Sequence, residues 1–329
     1  MNTAASYAPV PRLLADIGGT NARFAWQAGR DGAIEDQITL PCAQHVTVEA
    51  AIREYLGRID RPTPVECAIA IANPVHGDRV QMTNHHWSFS ISALKQSLGL
   101  QRLEVLNDFT ALALALPGLR PDEKRQVGGG HAMPNAAIGL IGPGTGLGVS
   151  GLVADGMGAW LPLQGEGGHV SLAPVTPREH HVVDCLIQRY GHASAERAVS
   201  GMGLVDVHRA LCLADEVLPP EGWSAAEVCQ AALSGNDARS LEALDMMCAF
   251  LGSVAGNLAL TMGAKGGVYI GGGIVPRLGS WFEHSSFRAR FEAKGRFQAY
   301  LAEVPVWVIT ASQSPALAGA AKALDRKAT

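Results

Sequence analysis

Apolar and polar positions alternate at a period of two over residues 23–27, 33–40 and 65–72, and this pattern predicts three strands. A continuous apolar run, Leu13-Leu14-Ala15, precedes them, and residues 48–56 switch to helical spacing. The chain therefore opens as mainly β with one crossover helix. Residues 88–92 lead into a short helix over 93–99, where a serine can cap the start and Gly99 the end. Residues 103–106 read as a further strand and 111–116 as a helix closed by Pro117-Gly118. The polar stretch 120–130, rich in charge and ending in three glycines, reads as a linker or long connection. Beyond it the opening pattern returns: a strand over 136–141, a glycine-rich loop over 142–148 and a returning strand over 149–154 echo residues 13–26. Helical patterns dominate 180–265, a strand over 268–270 ends in Gly271-Gly272-Gly273, and 304–310 forms a late strand. An alanine-rich helix over 316–324 follows. The expected fold class is α/β, with two lobes built on one plan.

Size agrees with two lobes, because 329 residues exceed what one hydrophobic core usually holds. A net charge of −4 with scattered basic residues gives no footprint for nucleic acid or an anionic membrane, so a small-molecule partner is expected. Six cysteines (Cys42, Cys67, Cys185, Cys212, Cys229, Cys248) lie far apart without zinc-site spacing. They read as reduced thiols of a cytoplasmic protein, and residues 1–12 carry no secretory pattern. Residues 136–154 and 246–264 lack charge for nearly a membrane's length. Glycines and a proline interrupt the first, and the second holds Ser253, Asn257 and Thr261, so a buried helix is expected there. Gly252 and Gly256 would allow a second helix to pack closely against it.

Candidate chemistry starts at Asp16-Ile17-Gly18-Gly19-Thr20, at the end of the first strand. Two glycines allow close approach of backbone N–H groups to an anion, Thr20 adds a hydroxyl, and Asp16 offers a carboxylate to a hydrated divalent cation. An ordinary hairpin turn is the alternative. Gly144-Thr145-Gly146-Leu147-Gly148 is a second such loop. It fails the dinucleotide spacing, and the chain has no Gly-Lys pair for a P-loop, which leaves a phosphate cradle or a tight hairpin. Asn107-Asp108-Phe109 lies where a strand hands over to a helix; Asp108 either caps that helix or acts as a general base toward a substrate hydroxyl. Gly165-Glu166-Gly167-Gly168-His169 offers a carboxylate and an imidazole suited to sugar hydroxyls, and Glu196 adds another carboxylate.

Taken together, these segments, with Met82-Thr83-Asn84-His85 and Gly271-Gly272-Gly273-Ile274-Val275-Pro276-Arg277, resemble those of the bacterial glucokinase family in the hexokinase/actin-like ATPase superfamily. The resemblance spans most of the chain. It implies two actin-like (ribonuclease H-like) α/β lobes with a cleft between them, a small lobe of 1–118 plus about 308–329 and a large lobe of 119–307. It further implies ATP-dependent phosphorylation of D-glucose at the 6-hydroxyl, giving glucose 6-phosphate and ADP for glycolysis. By that resemblance Asp108 is the base, and Asn84, Asn107, Glu166, His169 and Glu196 hold the sugar with it. Ala15, Asp16, Ile17, Gly18, Gly19 and Thr20, with Gly144, Thr145 and Gly146, would grip the phosphates of ATP. Gly272 and Gly273 would face the adenosine, and Mg²⁺ would bridge the phosphates near Asp16, through water. A homodimer is the implied assembly.

The chain departs from the family pattern at Ala15, where many relatives have glycine, and it lacks the cysteine-rich zinc motif of the related repressor/kinase group. Structural zinc is therefore not expected. A kinase for another hexose, a catalytically silent sugar-binding regulator and a nicotinamide-dependent dehydrogenase are the competing readings. The short stretch before the first strand argues against a helix-turn-helix regulator.

Overall fold

A computed structural model describes residues 10–83 and 85–326. Two compact units divide the chain: unit 1 runs through Leu119 and takes up again at Ser312, and unit 2 is Arg120–Ala311.

Unit 1 begins with β1 (Arg12–Ile17), β2 (Asn21–Gln27), β3 (Ile34–Pro41), α1 (Val48–Arg58) and β4 (Glu66–Ile71). It continues with β5 (Arg79–Gln81), β6 (Ser88–Ser90), α2 (Ile91–Ser97), β7 (Arg102–Asn107) and α3 (Asp108–Ala115). The five-stranded sheet has the order β3-β2-β1-β4-β7, with β1, β4 and β7 parallel and the β1–β2 and β2–β3 pairs antiparallel. Every residue of β1 is buried, because both of its faces are covered. Leu13, Ala15 and Ile17 point to a core shared with Val48, Ile52 and Tyr55 of α1. Leu14 points the other way, and by the same alternation Asp16 shares its face. Thr47 caps α1 by accepting from the Ala50 amide, after which Val48, Ala51, Ile52 and Tyr55 bury one helical face.

Unit 2 contains β8 (Lys124–Val127), β9 (Ile138–Pro143), β10 (Leu147–Ala154), β11 (Trp160–Gln164), α4 (Pro177–Tyr190), α5 (Gly201–Ala214), α6 (Ala225–Leu233) and α7 (Ala238–Met262). Then come β12 (Val268–Ile270), α8 (Trp281–His284), α9 (Phe287–Glu292), α10 (Gln298–Ala302) and β13 (Val306–Ile309). Its sheet has the order β11-β10-β9-β12-β13-β8. Around β9 the pattern of unit 1 recurs: an antiparallel β10 on one side, then parallel β12 and β13 on the other. The two sheets share one strand order, and unit 2 adds β8.

That added strand corrects the linker reading of 120–130. Lys124–Val127 pairs antiparallel with β13 and forms the sheet's outer edge. Charge on an edge strand blocks further pairing, so the polar character that resembled a linker belongs to an edge. Lys124 also lays its ammonium near the faces of Tyr269 and Trp307. The glycine-rich loop is likewise shorter than its sequence: Gly142 and Pro143 finish β9, Leu147 and Gly148 start β10, and only Gly144, Thr145 and Gly146 turn.

Helix α7 is the only described helix long and apolar enough to cross a membrane, and most of its apolar window is buried within unit 2. A Cβ on Gly252 would lie 2.3 Å from the Phe287 carbonyl oxygen and one on Gly256 would lie 2.5 Å from that of Phe291, so both glycines admit α9. After β13 the chain returns to unit 1 as α11 (Ala316–Asp325). There Leu317, Ala320, Ala321 and Leu324 complete the core around Leu14, Ala25 and Ala68.

Candidate functional site

In open α/β sheets, ligand-facing residues collect beyond the carboxyl ends of parallel strands. Both units follow this rule. In unit 1, β1 ends in Gly18-Gly19-Thr20, β4 in Ala72-Asn73 and β7 in the Asn107–Asp108 handover. The Gly18 amide donates to the Asn21 carbonyl at 2.9 Å and closes the first turn. The Gly19 and Thr20 amides have no protein acceptor among the described residues. Neither Gly18 nor Gly19 has a left-handed backbone, so the turn's conformation does not demand glycine. What the absent side chains do provide is access to those amides.

Asp16 is buried at the end of β1, and one of its oxygens accepts from Arg23 at 3.2 Å. Its other oxygen has no protein donor among the described residues. Asn107 is the N-cap of α3: its Oδ1 accepts from the Phe109 and Thr110 amides at 2.9 and 3.2 Å. Only its amide nitrogen, 3.4 Å from the Asn73 carbonyl, remains as a polar handle for a ligand. Asp108 follows as the first helical residue. Burial pushes its carboxyl up to about 6, the Phe109 amide pulls in the opposite direction, and the negative charge of Asp16 raises it further. Asn107 caps, and Asp108 holds a carboxyl tuned toward neutral pH.

Asn84 lies outside the described residues. Its neighbour Thr83 is held by buried Asn73, whose Oδ1 accepts from the Thr83 amide at 3.0 Å and hydroxyl at 2.8 Å. Asn73 was not among the sequence candidates. An Asn-Pro pair directly after a strand was its only signal. Arg23 belongs to the first motif, yet its pairing with Asp16 appears only when β1 and β2 are laid side by side.

In unit 2 three sequence motifs converge on the backbone of Leu147. Its amide donates to Glu196 Oε2 at 2.9 Å. Its carbonyl oxygen would lie 2.1 Å from a Cβ on Gly168, so that glycine is required for Gly165-Glu166-Gly167-Gly168-His169 to pack against the start of β10. A bridge between Ser171 and Ser194 ties the chain after His169 to the chain before Glu196. Glu166 and His169 are exposed, and neither side chain has a protein partner among the described residues. In the turn itself Gly144 donates to the Gly146 carbonyl at 2.8 Å and accepts from Gly201, at the start of α5, at 2.9 Å. The Thr145 and Gly146 amides have no protein acceptor among the described residues.

Gly272 joins this cluster through β12. It has φ of 76°, and a Cβ there would lie 2.3 Å from the Pro143 carbonyl oxygen at the end of β9. Gly273 follows in the same turn. The structure therefore gathers Gly144, Thr145, Gly146, Glu166, His169, Glu196, Gly272 and Gly273 at one end of the unit 2 sheet. Ala15, Asp16, Ile17, Gly18, Gly19, Thr20, Asn107 and Asp108 lie at the corresponding strand ends of unit 1.

Comparison with known proteins decides what this arrangement belongs to. The glucokinase family model matches residues 13–327. The chain belongs to the glucokinase family. A glucokinase of Chromobacterium violaceum is 56% identical over 94% of this chain and 88% of its own length. That of Aromatoleum aromaticum is 54% identical over 96% and 95%. The crystal structure of a glucokinase from an Antarctic psychrotroph matches with a TM-score of 0.87 at 38% identity, covering 96% of this chain and 98% of that one. Among the described residues no three His, Cys, Asp or Glu side chains converge as a metal cage. Asp16, with one carboxylate oxygen unengaged, suits a hydrated Mg²⁺, an ion that keeps most of its waters and takes one or two carboxylates.

Proposed function

We infer that the protein catalyses the ATP-dependent phosphorylation of D-glucose at its 6-hydroxyl, releasing glucose 6-phosphate and ADP. Asp108 carries the reading. A carboxyl raised to about 6 is ionised at neutral pH and still basic enough to accept a proton. As the sugar oxygen attacks the terminal phosphorus, its proton passes to Asp108, and the bond between that phosphorus and the ADP oxygen breaks.

Binding groups follow from the same reading. The backbone amides of Gly19, Thr20, Thr145 and Gly146, which have no protein acceptor among the described residues, stabilise phosphate oxygens together with two threonine hydroxyls. Glu166, His169, Glu196, Asn107 and Asn84 bind sugar hydroxyls. Gly272 and Gly273 leave a flat backbone surface for adenosine. Asp16 would hold the Mg²⁺ that accompanies the nucleotide, and the ion would supply neutralisation of phosphate charge. Each unit is an actin-like lobe in this reading. The enzyme works in the cytoplasm as a homodimer, and neither nucleic acid nor membrane takes part.

ADP release, followed by a coupled assay with and without glucose, tests the function. Turnover that needs both glucose and ATP is the expected result. ADP release indifferent to every hexose offered would overturn it. The same assay run on mannose and fructose ranks substrates by kcat/KM.

A further inference from the structure

Glu196 does more in this structure than present a carboxylate to a ligand. Its Oε2 accepts from the Leu147 amide at 2.9 Å, the first residue after the Gly144-Thr145-Gly146 turn. The contact is built from both sides. A Cβ on Gly146 would fall 2.3 Å from that same oxygen, so glycine at this position is what lets the carboxylate reach the turn. The backbone around Glu196 is anchored in its own right: the Ser171–Ser194 bridge precedes it, and the Arg197 guanidinium lies 3.9 Å from the centre of the Tyr190 ring. Gly144 is held independently by the Gly201 amide. One side chain and one helix start therefore hold the two ends of the turn, and Glu196 Oε1 has no protein partner among the described residues.

We propose that Glu196 is a positioning residue for the nucleotide as well as a group that touches the sugar. One oxygen pins the phosphate-binding turn at Leu147, and the other meets a sugar hydroxyl. Sugar in place fixes the Glu196 side chain in the orientation that holds the turn, so bound glucose tightens the grip on ATP through a single carboxylate. By linkage, bound nucleotide tightens the grip on glucose to the same degree. The proposal rests on the kinase reading above.

Calorimetric titration with the ATP analogue AMP-PNP and Mg²⁺, in the absence of any sugar, tests it. Glu196→Ala leaves the Leu147 amide without its acceptor and should weaken analogue binding by about tenfold. Glu196→Gln keeps a side-chain oxygen for that amide and should restore analogue affinity to within about twofold of the wild type, while glucose affinity stays low. Gly146→Ala attacks the contact from the other side; it should weaken the analogue while costing glucose less than Glu196→Ala does. Glu166→Gln, outside the contact, should change only glucose binding. If Glu196→Ala and Gly146→Ala both bind the analogue as the wild type does, Glu196 is a sugar ligand alone and the proposal falls. A wild-type protein that binds neither analogue nor glucose would instead overturn the kinase reading itself.

Discussion

Asp108 shows how much one residue's chemistry depends on its surroundings. In the sequence it is an acidic residue at a strand-to-helix boundary, equally suited to capping. In the structure its neighbour Asn107 takes the cap, and burial together with the charge of Asp16 lifts the Asp108 carboxyl to about 6. A base must be ionised, so kcat/KM for glucose should fall as pH drops through about 6. A pH–rate profile flat from pH 5 to 8 would remove Asp108 as the base. The same shift has a cost for folding. A carboxyl whose pKa is raised by the fold contributes favourably below its ordinary value near 3.8, and that contribution is lost as pH rises through about 6. Asp108→Asn removes the half-buried charge and should stabilise the protein at pH 7.5 by on the order of 2 kcal/mol while abolishing most turnover. Thermal melts of the two proteins at pH 7.5 and at pH 4 check this, with the difference shrinking at the lower pH.

Elements were legible wherever local pattern and environment agreed. The β1–β2 and β9–β10 hairpins, helix α1 and the buried helix α7 could all be read from spacing, because each repeats one period between clear breaks. β8 could not be read, since an edge strand carries the same charges as a linker and only its pairing with β13 tells them apart. Close helix crossings were legible in part. Gly252 and Gly256 stood out inside an apolar helix, whereas Gly319 in the alanine-rich α11 did not. A Cβ at Gly319 would come within 1.7 Å of the Ala111 carbonyl oxygen, in the middle of α3. Gly319→Ala must therefore push α3 away, and α3 carries Asp108 at its start. The substitution should cost about 1–3 kcal/mol in denaturant unfolding and lower kcat more than it raises KM for ATP. Wild-type stability would mean that the two helices slide apart without loss.

At the scale of the whole molecule the chain builds one strand order twice, then spends its last helix on the first unit. Unit 1 is consequently made of two segments of chain. Leu317, Ala320, Ala321 and Leu324 cover Leu14, Ala25 and Ala68. Asp325 accepts from Arg12 at 2.8 Å, and the Leu324 carbonyl accepts from Arg102 at the same distance. A chain cut after Gln313 would expose that apolar face and leave buried Arg12 with Glu66 as its only carboxylate partner. It should lose cooperative unfolding of unit 1 and all turnover, while unit 2 keeps its helical circular dichroism. Limited proteolysis distinguishes the two outcomes, because an intact unit 1 would resist cleavage within residues 10–119.

By itself the sequence determined the α/β class, the duplicated hairpin and the family, since strand periodicity and glycine motifs are properties of short stretches of chain. It also placed Asp16 to Thr20 at the end of a strand, Asp108 at a strand-to-helix handover and Gly144 to Gly146 in a turn between two strands, where the structure has them. Tertiary structure alone decided how those groups behave. Arg23 on Asp16, Asn73 on Thr83, Glu196 on Leu147 and the raised carboxyl of Asp108 arise between groups that only the folded chain sets side by side. Their energies depend on burial and direction, which no local pattern encodes.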